Sequence, residues 1–167
     1  LETNGIHLLS LRGERNFLDT IRATPEHTLG LVIALLRRYR RAFDEVHSGR
    51  WNRDVCKGEE IFGNSVGIIG LGRVGYRLGR YFEALGANIS YYDVADTVAD
   101  PYWNRATDII ELIESSRVII LCASHTNSSS PIIGRKEISA LRNRYFINTA
   151  RGELVDEIAL LQAINDD

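Results

Sequence analysis

The sequence predicts an α/β fold: one domain built on a doubly wound parallel sheet with helices on both faces. Short β-branched runs alternate with helical stretches along most of the chain, which is typical of strands joined by crossover helices. The runs at 66–69 and 118–121 contain no polar residue, as in strands of a parallel sheet that is covered on both sides. A length of 167 residues, 44% of them hydrophobic, suits one domain with a buried core.

The charge and composition exclude several classes of partner. Twenty Lys and Arg against 22 Asp and Glu leave a formal net charge of -2, so no overall field attracts nucleic acid or anionic lipid. The longest apolar run, 29–36, is far shorter than the roughly 20 residues of a membrane span. Cys56 and Cys122 are too few for a disulfide framework and lack the spacing of a zinc site, which favours a reducing, cytoplasmic compartment and predicts no metal.

The first helix has a well-specified start at Thr24, Pro25 and Glu26. Thr24 suits the N-cap, Pro25 the first helical position and Glu26 the positive end of the helix dipole. Before it, a strand over 6–11 and a connection to residue 22 are expected. The sequence therefore predicts that the main domain begins at about residue 23.

This helix is predicted to run to Val46 and to be apolar on more than one side. Its main apolar stripe has the spacing of a continuous helix and consists of Val32, Leu36, Tyr39, Phe43 and Val46. Leu31, Ile33 and Leu35 lie off that stripe. One domain cannot cover so much of a helix surface, so a homodimer through the 24–46 helix is expected. The basic run 37–41 within it is interpreted as a solvated or interface face rather than a nucleic-acid site.

The rest of the chain alternates strands and helices after a polar loop. Strands are predicted at 65–70, 88–93, 117–122 and 145–148. Helices are predicted at 74–85, 107–114, 136–141 and 156–164. In such a sheet the loops that bind ligands lie at the carboxyl ends of the strands.

A glycine motif follows the first of these strands. Gly70, Gly72 and Gly75 have the GxGxxG spacing and open the next helix. The first glycine permits a tight turn, the second lets the backbone approach a pyrophosphate, and the third permits close packing of helix and strand, with the phosphates at the positive helix end. The motif in this setting predicts a Rossmann-type sheet that binds a dinucleotide.

The motif also predicts an acidic residue about 20 residues further on, at the end of the next strand. Asp93 stands there. Its carboxylate would accept hydrogen bonds from the ribose hydroxyls and repel a 2′-phosphate. The next residues, Val94, Ala95 and Asp96, include no cation, so NAD is predicted in preference to NADP.

A second segment, 147–156, ends a strand in small and polar residues and presents Arg151 there. A lone arginine is most often a surface cation. At the carboxyl edge, however, a planar and permanently charged guanidinium is also suited to bind a substrate carboxylate.

Taken together, residues 23–29, 49–51, the glycine motif and residues 147–152 resemble the NAD-dependent D-isomer-specific 2-hydroxyacid dehydrogenases. That family includes D-3-phosphoglycerate, D-lactate, glycerate and formate dehydrogenases. The resemblance implies hydride transfer between NAD(H) and a D-2-hydroxy or 2-keto acid. The order and spacing of the segments are far more specific than the glycines alone.

The resemblance also implies roles for single residues. The backbone at Arg73 and Val74 would hold the pyrophosphate, and Asp93 the ribose. Ala123 and Ser124 would line the adenosine side. The residues expected to approach the nicotinamide are Thr149, Ala150 and Arg151. Of these, Arg151 matches the arginine that holds the substrate carboxylate and polarises the carbonyl.

The chain departs from the family pattern in two places. The usual His-x-Pro at the end of the predicted strand 117–122 is replaced by residues 122–124, with His125 displaced. The family's catalytic histidine and its acidic partner lie well downstream of the segment that contains Arg151, beyond Asp167. We therefore expect residues 1–22 to lead into a Rossmann domain at 23–167 that is incomplete at its C-terminal end, without its substrate domain and inactive alone.

The remaining histidines are weak candidates for proton transfer. His7, His27 and His47 are expected away from the carboxyl edge, as packing or surface residues. His125 is expected at the correct edge, in a loop where a histidine is usually solvated.

Two alternatives to the dehydrogenase remain open. One is an NAD(H)-sensing regulatory module that resembles the C-terminal-binding-protein corepressors of the same family. The other is the nucleotide domain of S-adenosylhomocysteine hydrolase, against which residues 148–152 argue.

Overall fold

A computed structural model of the protein describes residues 10–11, 13–124 and 131–166. Five strands form one sheet in the order β3-β2-β1-β4-β5, and every neighbouring pair is parallel. The strands are β1 (Ser65–Ile69), β2 (Asn88–Tyr92), β3 (Asn104–Arg105), β4 (Val118–Leu121) and β5 (Tyr145–Asn148). The predicted α/β fold is confirmed.

Seven helices are described: α1 (Arg15–Leu18), α2 (Ala23–Leu36), α3 (Tyr39–His47), α4 (Arg73–Ala84), α5 (Ile109–Ser115), α6 (Arg135–Ala140) and α7 (Glu157–Asn165). Helix α4 packs on β1, β2 and α2, while α5 packs on β1, β2 and α6, and α6 packs on α7. Among the described helices none has the length and hydropathy of a membrane span.

The two faces of the sheet carry separate hydrophobic cores. In β1, Ile68 packs with Leu78 and Phe82 of α4, whereas the next residue, Ile69, packs with Leu112 of α5. Alternate residues of a strand point to opposite faces, so strands buried on both sides must be apolar throughout. This is why the central strands were predictable from their composition.

Two short elements were not predicted. Strand β3 consists of two polar, exposed residues and carries no hydrophobic pattern, but it pairs with β2 through Ser90–Asn104 and Tyr91–Arg105. Helix α1 lies within the expected connection. The predicted strand over 6–11 lies outside the described residues except for Ser10 and Leu11, which are irregular.

The predicted start of α2 was wrong by a few residues. The helix begins at Ala23, after Arg22, and has no side-chain cap. Thr24 and Pro25 therefore lie inside the first turn, where Pro25 is buried and its missing N–H leaves no helical hydrogen bond unmade.

The prediction of one continuous helix to Val46 was also wrong. Arg38 has a left-handed φ of 52° and separates α2 from α3. The cause is a tertiary contact, because the carbonyl of Leu36 accepts a hydrogen bond from the backbone N–H of Glu59 at 2.9 Å. In a continuous helix this carbonyl would accept from Arg40.

The break divides the predicted apolar stripe. Val32 and Leu36 on α2 are 1% exposed, but Tyr39, Phe43 and Val46 on α3 are 42%, 67% and 58% exposed. The second half of the stripe is therefore not part of the core.

Candidate functional site

Strand β1 lies between β2 and β4 in the sheet, and the chain turns sharply at its carboxyl end. Gly70 makes this turn with a φ of 93°, and its N–H donates to the carbonyl of Tyr92 at 2.9 Å. A Cβ on Gly70 would lie 2.6 Å from the backbone of Ala123. Only glycine therefore fits this turn, at the point in the sheet where ligands of such folds bind.

The two other glycines of the motif differ in their surroundings. A Cβ on Gly75 would lie 2.1 Å from the carbonyl oxygen of Gly70, so this position needs glycine for packing. Around Gly72 no described atom lies within 4 Å of the corresponding point. The backbone at Gly72 is thus open to a ligand, as the second glycine of a pyrophosphate-binding motif must be.

Helix α4 begins directly after Gly72, which provides no side-chain cap. The first N–H groups of a helix, here those of Arg73 and Val74, have no helical partner and carry the positive end of the dipole. This open cradle fits a pyrophosphate, and so the residues present fit a dinucleotide.

Asp93 follows β2 and faces the glycine motif. One carboxylate oxygen accepts from the N–H of Leu71 at 2.7 Å, and the other accepts from the N–H of Ala95 at 2.9 Å. Each carboxylate oxygen can accept a further hydrogen bond, so ribose hydroxyls can still donate to it.

An arginine that the sequence did not indicate lies close to the backbone of Asp93. Arg105 on β3 donates to the carboxylate of Asp96 at 2.8 Å and to the carbonyls of Ala95 and Asp93 at 3.1 and 3.4 Å. No cation follows Asp93 directly along the chain, but the fold brings Arg105 beside its backbone. Only the pairing of the two-residue strand β3 with β2 brings Arg105 there.

The segment after β5 is shaped by Asn148. Its side-chain amide donates to the carbonyl of Arg151 and accepts from the N–H of Ala150, both at 2.9 Å. Arg151 is exposed, and among the described residues its guanidinium bonds only to the carbonyl of Ala150 at 2.7 Å. Its remaining donors point to no described acceptor, which leaves them available for an anion.

Arg151 lines a cleft of about 520 Å³. The cleft is formed by the first half of α2 and the segment after β5, through Ala23, Thr24, His27, Leu31, Asn148, Thr149, Ala150, Arg151 and Gly152. His27 was expected away from this edge, and that expectation was wrong. The N-terminal half of α2 docks on β5 through Thr28, whose buried hydroxyl lies 3.1 Å from that of Thr149.

The segment after β4 contacts the glycine motif. Ala123 packs against Gly70, and Ser124 is exposed at the edge. Burial raises the pKa of the Cys122 thiol to about 12, with a smaller opposing effect of its hydrogen bond to Thr149. Cys122 is therefore a neutral packing residue. His7 and His125 lie outside the described residues.

Comparison with known proteins agrees with this geometry. The family model of the D-isomer specific 2-hydroxyacid dehydrogenase NAD binding domain matches residues 29–167. The chain is 36% identical over 145 residues to a D-3-phosphoglycerate dehydrogenase of Methanocaldococcus jannaschii, covering 84% of this chain and 28% of that protein. It is 34% identical to a glyoxylate/hydroxypyruvate reductase of Arabidopsis thaliana, covering 83% of this chain and 43% of that protein.

A solved D-lactate dehydrogenase from Aquifex aeolicus, complexed with NAD and lactic acid, superposes with a TM-score of 0.78 at 30% identity, covering 86% of this chain and 44% of that chain. The protein thus spans less than half the length of these relatives. The matched range 29–167 contains the glycine motif, Asp93 and Arg151. The chain belongs to the D-isomer specific 2-hydroxyacid dehydrogenases and is an NAD-binding domain of that family.

Proposed function

We propose that this domain serves an enzyme that transfers hydride between NAD(H) and a D-2-hydroxy or 2-keto acid. The observation that carries the proposal is the pairing of an open glycine cradle with an arginine-lined cleft on one edge of the sheet. Bound NAD would supply the hydride acceptor, and the chain would supply the groups that hold and orient both reactants.

Each element of the edge has a role in this proposal. The amides of Arg73 and Val74 bind the pyrophosphate, and the carboxylate of Asp93 accepts from the ribose hydroxyls. Ala123 and Ser124 line the adenosine side. Thr149, Ala150 and Arg151 border the nicotinamide, and Arg151 orients the acid through its carboxylate.

The proton is expected to come from outside these residues. Family members place a histidine with an acidic partner downstream of the segment that matches residues 147–152. We propose that residues 23–167 act with a separate substrate domain, since the curated relatives are more than twice as long as the part matched. The 167-residue chain alone should bind NADH without reducing 2-keto acids, and reduction at ordinary enzyme rates would contradict this.

NADH binding tests the proposal directly. Titration of the chain by NADH fluorescence should give saturable binding that weakens about ten- to a hundred-fold in Asp93→Ala, because a charge-assisted hydrogen bond is worth roughly 1.5–3 kcal/mol. Asp44→Ala, an exposed carboxylate on α3, is the matched control. Unchanged affinity in a folded Asp93→Ala would remove Asp93 from the site.

The relatives reported above are all named as dehydrogenases or reductases. They favour a catalytic enzyme over an NAD(H)-sensing regulator, and no feature of the described residues favours the regulator.

We also propose that the chain forms a homodimer through α2 and α3. Leu31 and Leu35 on α2 are 40% and 44% exposed, and Phe43 on α3 is 67% exposed. Tyr39 packs on Phe43 with ring centroids 5.9 Å apart, so these two exposed aromatic residues form one apolar patch on α3. A second copy that covers this surface would remove it from water.

Light scattering distinguishes this dimer from a monomer. Phe43→Glu should shift the chain to a monomer, whereas Tyr102→Glu, which changes a still more exposed aromatic residue, should not. A wild-type chain that stays monomeric at high concentration would contradict the proposal.

Finally, we propose a cytoplasmic location, supported by the two unpaired cysteines, Cys56 and Cys122. Cell fractionation checks this, and recovery outside the cytoplasm would contradict it.

A further inference from the structure

The turn that follows Asp93 is held in place by an arginine. Within the turn, the carboxylate of Asp93 accepts from the N–H of Ala95 at 2.9 Å. Nη2 of Arg105 donates to the carbonyls of Asp93 and Ala95. The guanidinium therefore lies within hydrogen-bond distance of the residue proposed to bind the ribose.

The same guanidinium is paired with a surface carboxylate. Nη1 of Arg105 donates to Asp96 at 2.8 Å, and the side chains of the two residues are 43% and 96% exposed. Exposed ion pairs are weak, and guanidinium groups bind phosphate in a bidentate manner. The pair can therefore open and exchange its carboxylate for another anion at little cost.

The charges around the turn oppose a 2′-phosphate only while Asp96 is present. Asp93, Asp96 and Arg105 together carry one net negative charge, and Asp96 neutralises the only cation among the three. Without the charge of Asp96, the sum is zero and Arg105 has a donor group available at the turn that follows Asp93.

We propose that Arg105 and Asp96 form a second determinant of the choice between NAD(H) and NADP(H), in addition to Asp93. Asp96 occupies the guanidinium that would otherwise bind a 2′-phosphate on the ribose, and it adds a like charge to that of Asp93. This inference rests on the proposed binding of the dinucleotide at the glycine motif. It goes beyond that proposal because it assigns Arg105 on β3 and Asp96 in the turn after β2 to cofactor selection.

The test measures the dissociation constants of NADH and NADPH for the 167-residue chain and takes their ratio as the readout. In Asp96→Asn the preference for NADH over NADPH should fall about two- to five-fold, as expected for one exposed charge. This relative gain in NADPH affinity should disappear when Asp96→Asn is combined with Arg105→Gln. It should also diminish as the salt concentration rises, because the pair is exposed.

Two controls separate the explanations. Asp44→Asn removes an equal charge on α3, which packs on α2, and it should leave the ratio unchanged. Arg105→Gln alone loosens the turn for both cofactors, so the ratio and not the affinity is compared.

An unchanged ratio in Asp96→Asn, a gain that survives the loss of Arg105, or an equal gain in Asp44→Asn would overturn the inference. Failure of every variant, wild type included, to bind NADH would instead overturn the proposed function. The two failures are therefore distinguishable.

Discussion

Arg117 at the amino edge of the sheet and Arg151 at the carboxyl edge have opposite surroundings. At the amino edge, Nε of Arg117 donates to Glu59 at 2.9 Å, and the Tyr145 hydroxyl donates to the same carboxylate at 2.9 Å. Arg117 also lies over the Tyr145 ring, 4.8 Å from its centroid. These three groups satisfy one another.

At the carboxyl edge, Arg151 and the backbone at Gly72 lack such partners among the described residues. The guanidinium of Arg151 bonds only to a neighbouring carbonyl among the described residues, and the backbone at Gly72 faces open space. Composition does not distinguish charged residues that stabilise the fold from those that bind ligands, since both edges contain arginine beside polar residues. What separates them is whether the protein itself supplies the partner.

Substitution of Gly70 should have the largest effect. Gly70→Ala places a Cβ 2.6 Å from the backbone of Ala123 at a φ of 93°, which should reduce the free energy of unfolding by about 2–4 kcal/mol. Urea denaturation measures this. Wild-type stability would show that the turn relaxes freely.

Gly72→Ala should separate binding from folding. No described atom lies within 4 Å of the new Cβ and φ is -75°, so stability should stay within about 0.5 kcal/mol. The methyl group would occupy the approach to the pyrophosphate, and NADH affinity should fall roughly ten-fold or more, about 1.4 kcal/mol. Unimpaired NADH binding would place the phosphates elsewhere.

At the amino edge, Glu59→Gln should reduce stability by about 1 kcal/mol. The loss is small because the side chains of Arg117 and Glu59 are 36% and 35% exposed and water screens the pair. Urea denaturation at pH 7 checks it, with Glu153→Gln, an exposed carboxylate, as the control. An equal loss in both variants would mean that the pair contributes nothing specific.

The smallest expected effect is the pH dependence of that difference. Hydrogen bonding by Arg117, supported by Tyr145, holds the pKa of the Glu59 carboxyl below its ordinary value. The resulting stability is present above the unfolded pKa of about 4.3 and is lost as the pH falls through the lowered pKa of the folded state. Denaturation of wild type and Glu59→Gln from pH 7 to 3 should therefore converge at low pH, and divergence would contradict this account.

The parts of the fold that were predictable are those with a local pattern. The apolar runs of β1 and β4 identified the sheet, and the glycine spacing identified the turn into α4. The break at Arg38 and the place of Arg105 were not predictable, because each depends on a contact with a distant segment, Glu59 in one case and β2 in the other. Residues 149–151 could be placed from the sequence because they follow the end of a strand. His27 lies in the cleft only because α2 docks on β5, which no local pattern predicts.

Helix α2 connects the two edges. Near its start, Thr28 meets Thr149 at the cleft, and at its end the carbonyl of Leu36 accepts from Glu59, whose carboxylate belongs to the amino-edge group. Its 14 residues span about 21 Å as a rigid rod. The width of the cleft beside Arg151 therefore depends in part on contacts at the opposite edge of the sheet. A substitution that shifts the Glu59 loop would tilt α2 and move His27 relative to Arg151.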